Sequence, residues 1–282
     1  MTANLIISAL TDAVWDSVKL FPFLLVTYLF LEYLEHRGQG KAEKMLQNSG
    51  NCGPIIGAVC GIFPQCGFAA AAANLFAARV ISAGTLVAVF LATSDEMLPI
   101  LISGPVSAAL LAKIVAIKLV VGAAAGMLFN LLKADKKPAA IDVESLCKNE
   151  DCRCEDGIFV SALRHAVRIT LYVAIISAAL NLAVQWLGLS YLSQHVFQRP
   201  IWSQMAAAAI GLLPNCSASV IVTQLYLEKA LSLGALMAGT LCGAGVGMLV
   251  LFRVNRNLRQ NLQIVLFVYA VSVAVGLIVD WL

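Results

Sequence analysis

Residues 61–66 read Gly-Ile-Phe-Pro-Gln-Cys, and residues 211–216 read Gly-Leu-Leu-Pro-Asn-Cys, the same pattern 150 positions later. Neither stretch carries a charge. The match runs on without a gap through Leu75/Leu225, Ser82/Ser232, Gly84/Gly234, Leu86/Leu236, Ala88/Ala238 and Leu91/Leu241, and it resumes at Gly126/Gly276 and Leu132/Leu282. A duplicated apolar half, with a proline-interrupted polar spot in each copy, is the pattern of a secondary transporter built from internal repeats.

Composition points the same way. Hydrophobic residues make up 60% of the 282 residues, charged ones 12%, and the mean hydropathy is +0.86. That charge content is about half the usual soluble value. The stretches 17–35, 80–103, 105–132, 158–187, 231–252 and 260–282 are each apolar enough to serve as a span, for which about 20 residues are needed. The first apolar run has no basic region before it, so a cleaved signal peptide is not expected. The net charge of +3 falls on loops between spans and gives no reason to expect a nucleic-acid partner. No G-x-x-x-x-G-K-[ST] loop is present, so transport by an ion gradient is expected, and catalysis is not.

The segments 52–78 and 204–228, which hold the Pro-x-Cys motifs, are each either one broken span or a re-entrant hairpin. Lysine and arginine concentrate on the cytoplasmic side of membrane proteins and discriminate between the two. With hairpins, each half has three spans and the second half is inverted. Arg37, Lys41, Lys44, Arg79, Lys133, Lys136, Lys137, Lys148, Arg153, Arg253, Arg256 and Arg259 then face inside, and only Arg199 and Lys229 face outside: twelve against two. With broken spans the tally is seven against seven. The expected fold is therefore an all-α polytopic membrane protein of two inverted repeats, each of three transmembrane helices and one re-entrant helical hairpin. The repeats cover 1–132 and 158–282, a cytoplasmic linker rich in cysteine and acid covers 133–157, and the protein sits in the bacterial inner membrane.

In that topology the tips Pro64-Gln65-Cys66 and Pro214-Asn215-Cys216 approach from opposite faces near the midplane. Pro64 and Pro214 break the helices by removing an N–H donor. Cys66 and Cys216 offer soft thiolate ligands, and Gln65 and Asn215 offer amide oxygens. Asp95 and Glu96, after Ser94, are the only charges within 80–103. A carboxylate inside a span marks a functional site by default, as cation ligand or proton carrier. On one continuous helix the two would point about 100° apart, so one would bind the cargo while the other paired with Lys113 or Lys118. Asn74 and Gln224, aligned by the repeat, would either line the site or bond to neighbouring helices. Cys147, Cys152 and Cys154 in the acidic linker could contact a soft cation on the cytoplasmic side. The blander readings are that cysteine is a small, easily buried hydrophobe, and that the lysines simply neutralise the acids. Cys60 and Cys242, with no repeat counterparts, are expected to pack. The Gly243-Ala244-Gly245-Val246-Gly247 run is expected to let another backbone come close.

The tips, the Gly-Thr-Leu-x-Ala-Val-Phe-Leu-Ala-Thr-Ser-Asp-Glu run at 84–96 and the Cys-x-Cys loop before Arg164-His165 together resemble the ten-transmembrane heavy-metal exporter family related to ArsP. Its members are labelled arsenic efflux proteins or manganese transporters. The resemblance covers nearly the whole chain and implies efflux of a metal or metalloid, with no cofactor beyond the transported ion. The two labels differ chemically. Trivalent arsenicals want the thiols of Cys66 and Cys216, whereas Mn²⁺ prefers the oxygens of Asp95, Glu96, Gln65 and Asn215. One departure is a linker without histidine. A rival reading from the same residues is a membrane thiol–disulfide electron carrier using the paired Pro-x-Cys cysteines.

Overall fold

The computed structural model describes residues 18, 21, 22, 24–29, 52–63, 66–94, 96–133, 158–187, 200–214 and 216–281, and every regular element among them is an α-helix. After a helical stretch at 24–29 come α1 (Gly53–Gly61), α2 (Cys66–Ala77), α3 (Ala83–Ala92), α4 (Met97–Ser103), α5 (Ala108–Lys133) and α6 (Ile158–Leu187). They are followed by α7 (Pro200–Gly211), α8 (Cys216–Leu227), α9 (Leu233–Leu241), α10 (Val246–Val254) and α11 (Leu258–Trp281). The register of the sequence repeat pairs α1 with α7, α2 with α8, α3 with α9, α4 with α10 and α5 with α11.

The same local devices start and stop the paired helices. Ser82 and Ser232 take the extended backbone of an N-cap, and each Oγ accepts a hydrogen bond 3.1 Å long, from the Thr85 and Ala235 amides respectively. This satisfies donors that a helix start leaves open. Arg79 and Lys229 have φ of 58° and 60°. They close α2 and α8 as left-handed caps, with the Val80 and Ala230 amides donating back to the Leu75 and Leu225 carbonyls at 2.8 and 2.9 Å. Two bulky residues held in that region at matched positions show that the turn is dictated by the architecture and not by a permissive glycine.

Close packing fixes the directions. A Cβ on Gly84 would overlap the Gly126 carbonyl, and one on Gly234 would overlap the Gly276 carbonyl, so α3–α5 and α9–α11 touch backbone to backbone. Small residues at such seams are the usual means of helix association in a membrane. Along α1, Gly57 lies against Thr85 and Gly61 against Val89 and Ala92, so α1 runs parallel to α3. Gly122 lies against Ala88 and Gly126 against Gly84, so α5 runs antiparallel to both. In the second half Gly211 meets Gly239 near the end of α9, while Gly276 meets Gly234 at its start. Since α1 and α3 are parallel and level, α2 must carry the chain back to where α1 began.

Two expectations need correction. The stretches 80–103 and 231–252 are not continuous helices: α3 stops at Thr93, whose ψ is 127°, and α9 gives way to α10 through Gly245 at φ 49° and ψ −134°. Only glycine adopts that second conformation freely. The span 80–103 is therefore not one continuous helix carrying both acids: α3 ends before Thr93, and Glu96 stands at the N-cap of the next helix, α4. The two broken spans are also the inner ones. Of Ala83–Ser103 and Leu233–Val254, 76% and 89% of the most apolar window is buried, against 22% for both α5 and α11. The exposed faces of those outer helices carry Val120, Leu128, Leu262, Leu266 and Ile278, which suits contact with lipid.

The halves interlock by exchanging short helices. The α10 helix packs on α2, and α4 packs on α8. The glycine run behaves as expected from sequence: a Cβ on Gly247 would stand 2.7 Å from the Ala69 Cβ and 2.9 Å from its carbonyl carbon.

Candidate functional site at the broken spans

The ends of α3 and α9 meet at one side chain. Lys118, from the middle of α5, has no exposed surface, and its Nζ donates hydrogen bonds to the Thr93 carbonyl oxygen and, at 2.9 Å, to the Thr240 carbonyl oxygen. Thr93 is the C-cap of α3, and Thr240 lies in the last turn of α9. Carbonyls in a last helical turn lack intrahelical partners and carry partial negative charge. The two threonine hydroxyls turn away from this point, Thr93 Oγ1 donating to the Val89 carbonyl at 2.7 Å and Thr240 Oγ1 to the Leu236 carbonyl at 2.8 Å. Burying an ammonium without partners is prohibitive. Here two carbonyls from two helix ends contribute to offsetting that cost.

The residues expected to carry chemistry lie around this junction in part. Ser94 is buried and its hydroxyl donates to the Ala92 carbonyl at 3.1 Å, while Glu96, half-buried, takes the N-cap position of α4. The end of α1 at Gly61 touches Ala92, so the tip segment and the α3 break leave from the same level. Cys66 and Cys216 open α2 and α8, and Pro214 sits half-buried before the second of these. Pro64, Gln65, Asp95, Asn215, Cys147, Cys152 and Cys154 lie outside the described residues, as do the side chains of Cys66 and Cys216. Among the described residues no group of three or more His, Cys, Asp and Glu is placed to hold a metal ion.

Asn74 and Gln224, aligned by the repeat, differ in setting. Asn74 is fully buried, accepts a 2.9 Å hydrogen bond from the Tyr28 hydroxyl and donates to the Ala70 carbonyl at 3.1 Å, whereas Gln224 is exposed. Tyr28 in turn stacks on His165 of α6, ring centroids 5.1 Å apart, so this cluster ties 24–29, α2 and α6 together. Lys113 is exposed, one face away from Lys118 on α5. Cys242 is buried, as expected of a packing residue. Sequence reasoning missed that Lys118 bonds to backbone. The available signal was its repeat partner, Val268: a buried charge with no counterpart.

A helical chain with several apolar helices long enough to cross a bilayer fits a multi-pass membrane protein. Residues 1–184 match the family described as "Putative, 10TM heavy-metal exporter" (ArsP_2), and the chain belongs to that family. No curated protein and no solved structure matches the chain. Metal efflux across a membrane is the general activity this membership supports.

Proposed function

We propose that the protein is a secondary transporter that exports a metal or metalloid species across the bacterial inner membrane. Cargo is bound where the tips at Cys66 and Cys216 meet the breaks after α3 and α9. The observation that carries this reading is the convergence of α3 and α9 on Lys118, one helix end from each half. Such a junction of interrupted helices is where transporters of repeated architecture bind ions and small solutes.

The membrane arrangement in this proposal is two inverted repeats, 1–132 and 158–282, each with a re-entrant hairpin, joined by the cytoplasmic linker 133–157. Its support is the parallel, level register of α1 and α3, together with helix lengths of 9 and 12 residues for α1 and α2. At 1.5 Å per residue these reach about 14–18 Å, half of a 30 Å core. Asp95 or Glu96 would carry the coupling proton, and Gln65, Asn215, Ser94 and the two tip cysteines would contact the cargo. The linker cysteines Cys147, Cys152 and Cys154 would meet a soft cation before it enters.

The test is growth of cells with and without the protein across Mn²⁺, Zn²⁺, arsenite and methylarsenite. Protection against at least one is expected. Protection confined to trivalent arsenicals assigns the site to the tip thiols, and protection against manganese alone assigns it to the acids and amides. Sensitivity unchanged by all four overturns the export reading.

A further inference from the structure

We propose that the junction of α3 and α9 is a monovalent-cation site and that the Lys118 ammonium fills it as a tethered ion. Two observations and one general feature of transporters lead there. Two of the ammonium's ligands are backbone carbonyl oxygens, Thr93 O and Thr240 O, one from each half of the chain and 147 residues apart in the numbering. One is the C-cap of α3 and the other lies in the last turn of α9, both helices ending inside the buried layer, where the peptide dipoles leave net negative charge. Carbonyls at interrupted helix ends are the oxygen set that coordinates dissolved monovalent cations in other transporters. An ammonium group matches a desolvated alkali cation in charge and approximately in size.

The charge comes from only one half. Val268 stands at the equivalent position of α11, so a single ammonium serves both helix ends and ties them to α5. Thr93 and Thr240 are not repeat mates either, since Thr93 aligns with Gly243 and Thr240 with Phe90. The bridge is thus particular to this junction and is not a device copied along with the repeat. An ion bonded to the chain cannot leave, so holding the two helix ends together requires no dissolved sodium or potassium. This inference concerns the junction and not the cargo, and it stands or falls independently of which metal is exported.

The experiment is thermal unfolding of the purified full-length protein in detergent, in NaCl, KCl or choline chloride at equal ionic strength. Wild type is expected to melt at one temperature in all three. Lys118→Ala is expected to melt roughly 5–10 °C lower in choline chloride, as befits loss of one partner from a buried charged contact. Sodium or potassium should restore much of that loss with a saturable concentration dependence. A Lys118→Ala protein that melts alike in all three salts overturns the proposal, as does a sodium- or potassium-specific rise of the same size in wild type. If Lys118→Ala folds in no salt, Lys118→Arg and Lys118→Met decide. An Arg variant that folds and ignores salt, beside a Met variant that does not fold, supports the tethered cation; a Met variant with the wild-type melting temperature, or loss of both variants, overturns it.

Discussion

Asp280 offers a quantitative check on how the repeated frame is held. Near the end of α11, its carboxylate accepts from the Gly234 amide at 2.7 Å, from the Ser232 hydroxyl at 2.6 Å and from Gln204 Nε2. Gly234 and Gln204 are buried, and Gln204 Oε1 has no hydrogen-bond partner. Asp280→Ala therefore strands two buried donors, each worth about 1–3 kcal/mol when unpaired. Because water reaches the exposed Asp280 end, the expected total is about 2–3 kcal/mol. The first half supplies its own control. There Asn130 fills the equivalent position, accepting from the Gly84 amide at 2.8 Å and donating to Ser82 Oγ at 3.0 Å. Asp280→Asn should reproduce that arrangement, and a rotated Gln204 amide could then accept from the new amide through its unpaired Oε1. It forfeits the attraction between a carboxylate and the α9 N-terminus, about 0.3–1 kcal/mol. The rotation also moves Gln204 Nε2 to the place where Oε1 has no partner, so the loss is smaller than that of Asp280→Ala but not zero. The assay is reversible unfolding in mixed micelles, with melting temperature as a second reading at roughly 2–4 °C per kcal/mol for a chain of this order. Equal losses in the Ala and Asn variants, or none in Ala, would refute the reasoning that the two halves use one interchangeable cap.

Two further outcomes are expected. Gly247→Ala should lower the melting temperature and the monodisperse yield, because the new Cβ meets backbone atoms of Ala69 within 3.0 Å, an overpacking worth about 1–3 kcal/mol. Gly243→Ala, whose Cβ would have no neighbour nearer than 3.4 Å, should be nearly neutral, and equal behaviour of the two variants would contradict the packing of α10 on α2. Membrane-impermeant maleimide applied from outside intact cells should leave Cys147, Cys152 and Cys154 unmodified while labelling a cysteine placed at Arg199; strong external labelling of the linker would exclude the inverted topology.

Much of the frame was legible because it is written in residue types. The register linking Gly84 to Gly234 and Ser82 to Ser232 carries over to every paired helix described, since a small residue at a seam and a serine at a cap are visible without coordinates. The breaks were not legible. Thr93-Ser94 and Cys242-Gly243-Ala244-Gly245 are apolar or neutral enough to pass as span, and hydropathy is blind to a change of ψ. The role of Lys118 was hidden for a related reason. Two of its partners are backbone carbonyls, which every residue has, so no residue type in the sequence marks them. The caps by Asn130 and Asp280 were invisible because each joins groups 46 residues apart along the chain.

Where the two halves agree and where they differ separates frame from chemistry. They agree in cap serines, left-handed helix closures, glycine seams and the exchange of α4 and α10 between halves. They differ in Lys118 against Val268, Asp95 against Gly245, Glu96 against Val246 and Asn74 against Gln224 in its setting. Alternating access demands that two arrangements of the molecule have nearly equal energy, and matched halves meet that demand when each can adopt the other's packing. Binding demands only one site, which a single set of charged groups can supply. Charges duplicated in the second half would add a second buried desolvation cost with no second cargo to offset it. On the proposed reading the asymmetry at the junction is compatible with the symmetry of the frame: the first half supplies Lys118, Asp95 and Glu96, and the second has Val268, Gly245 and Val246 at the matching positions.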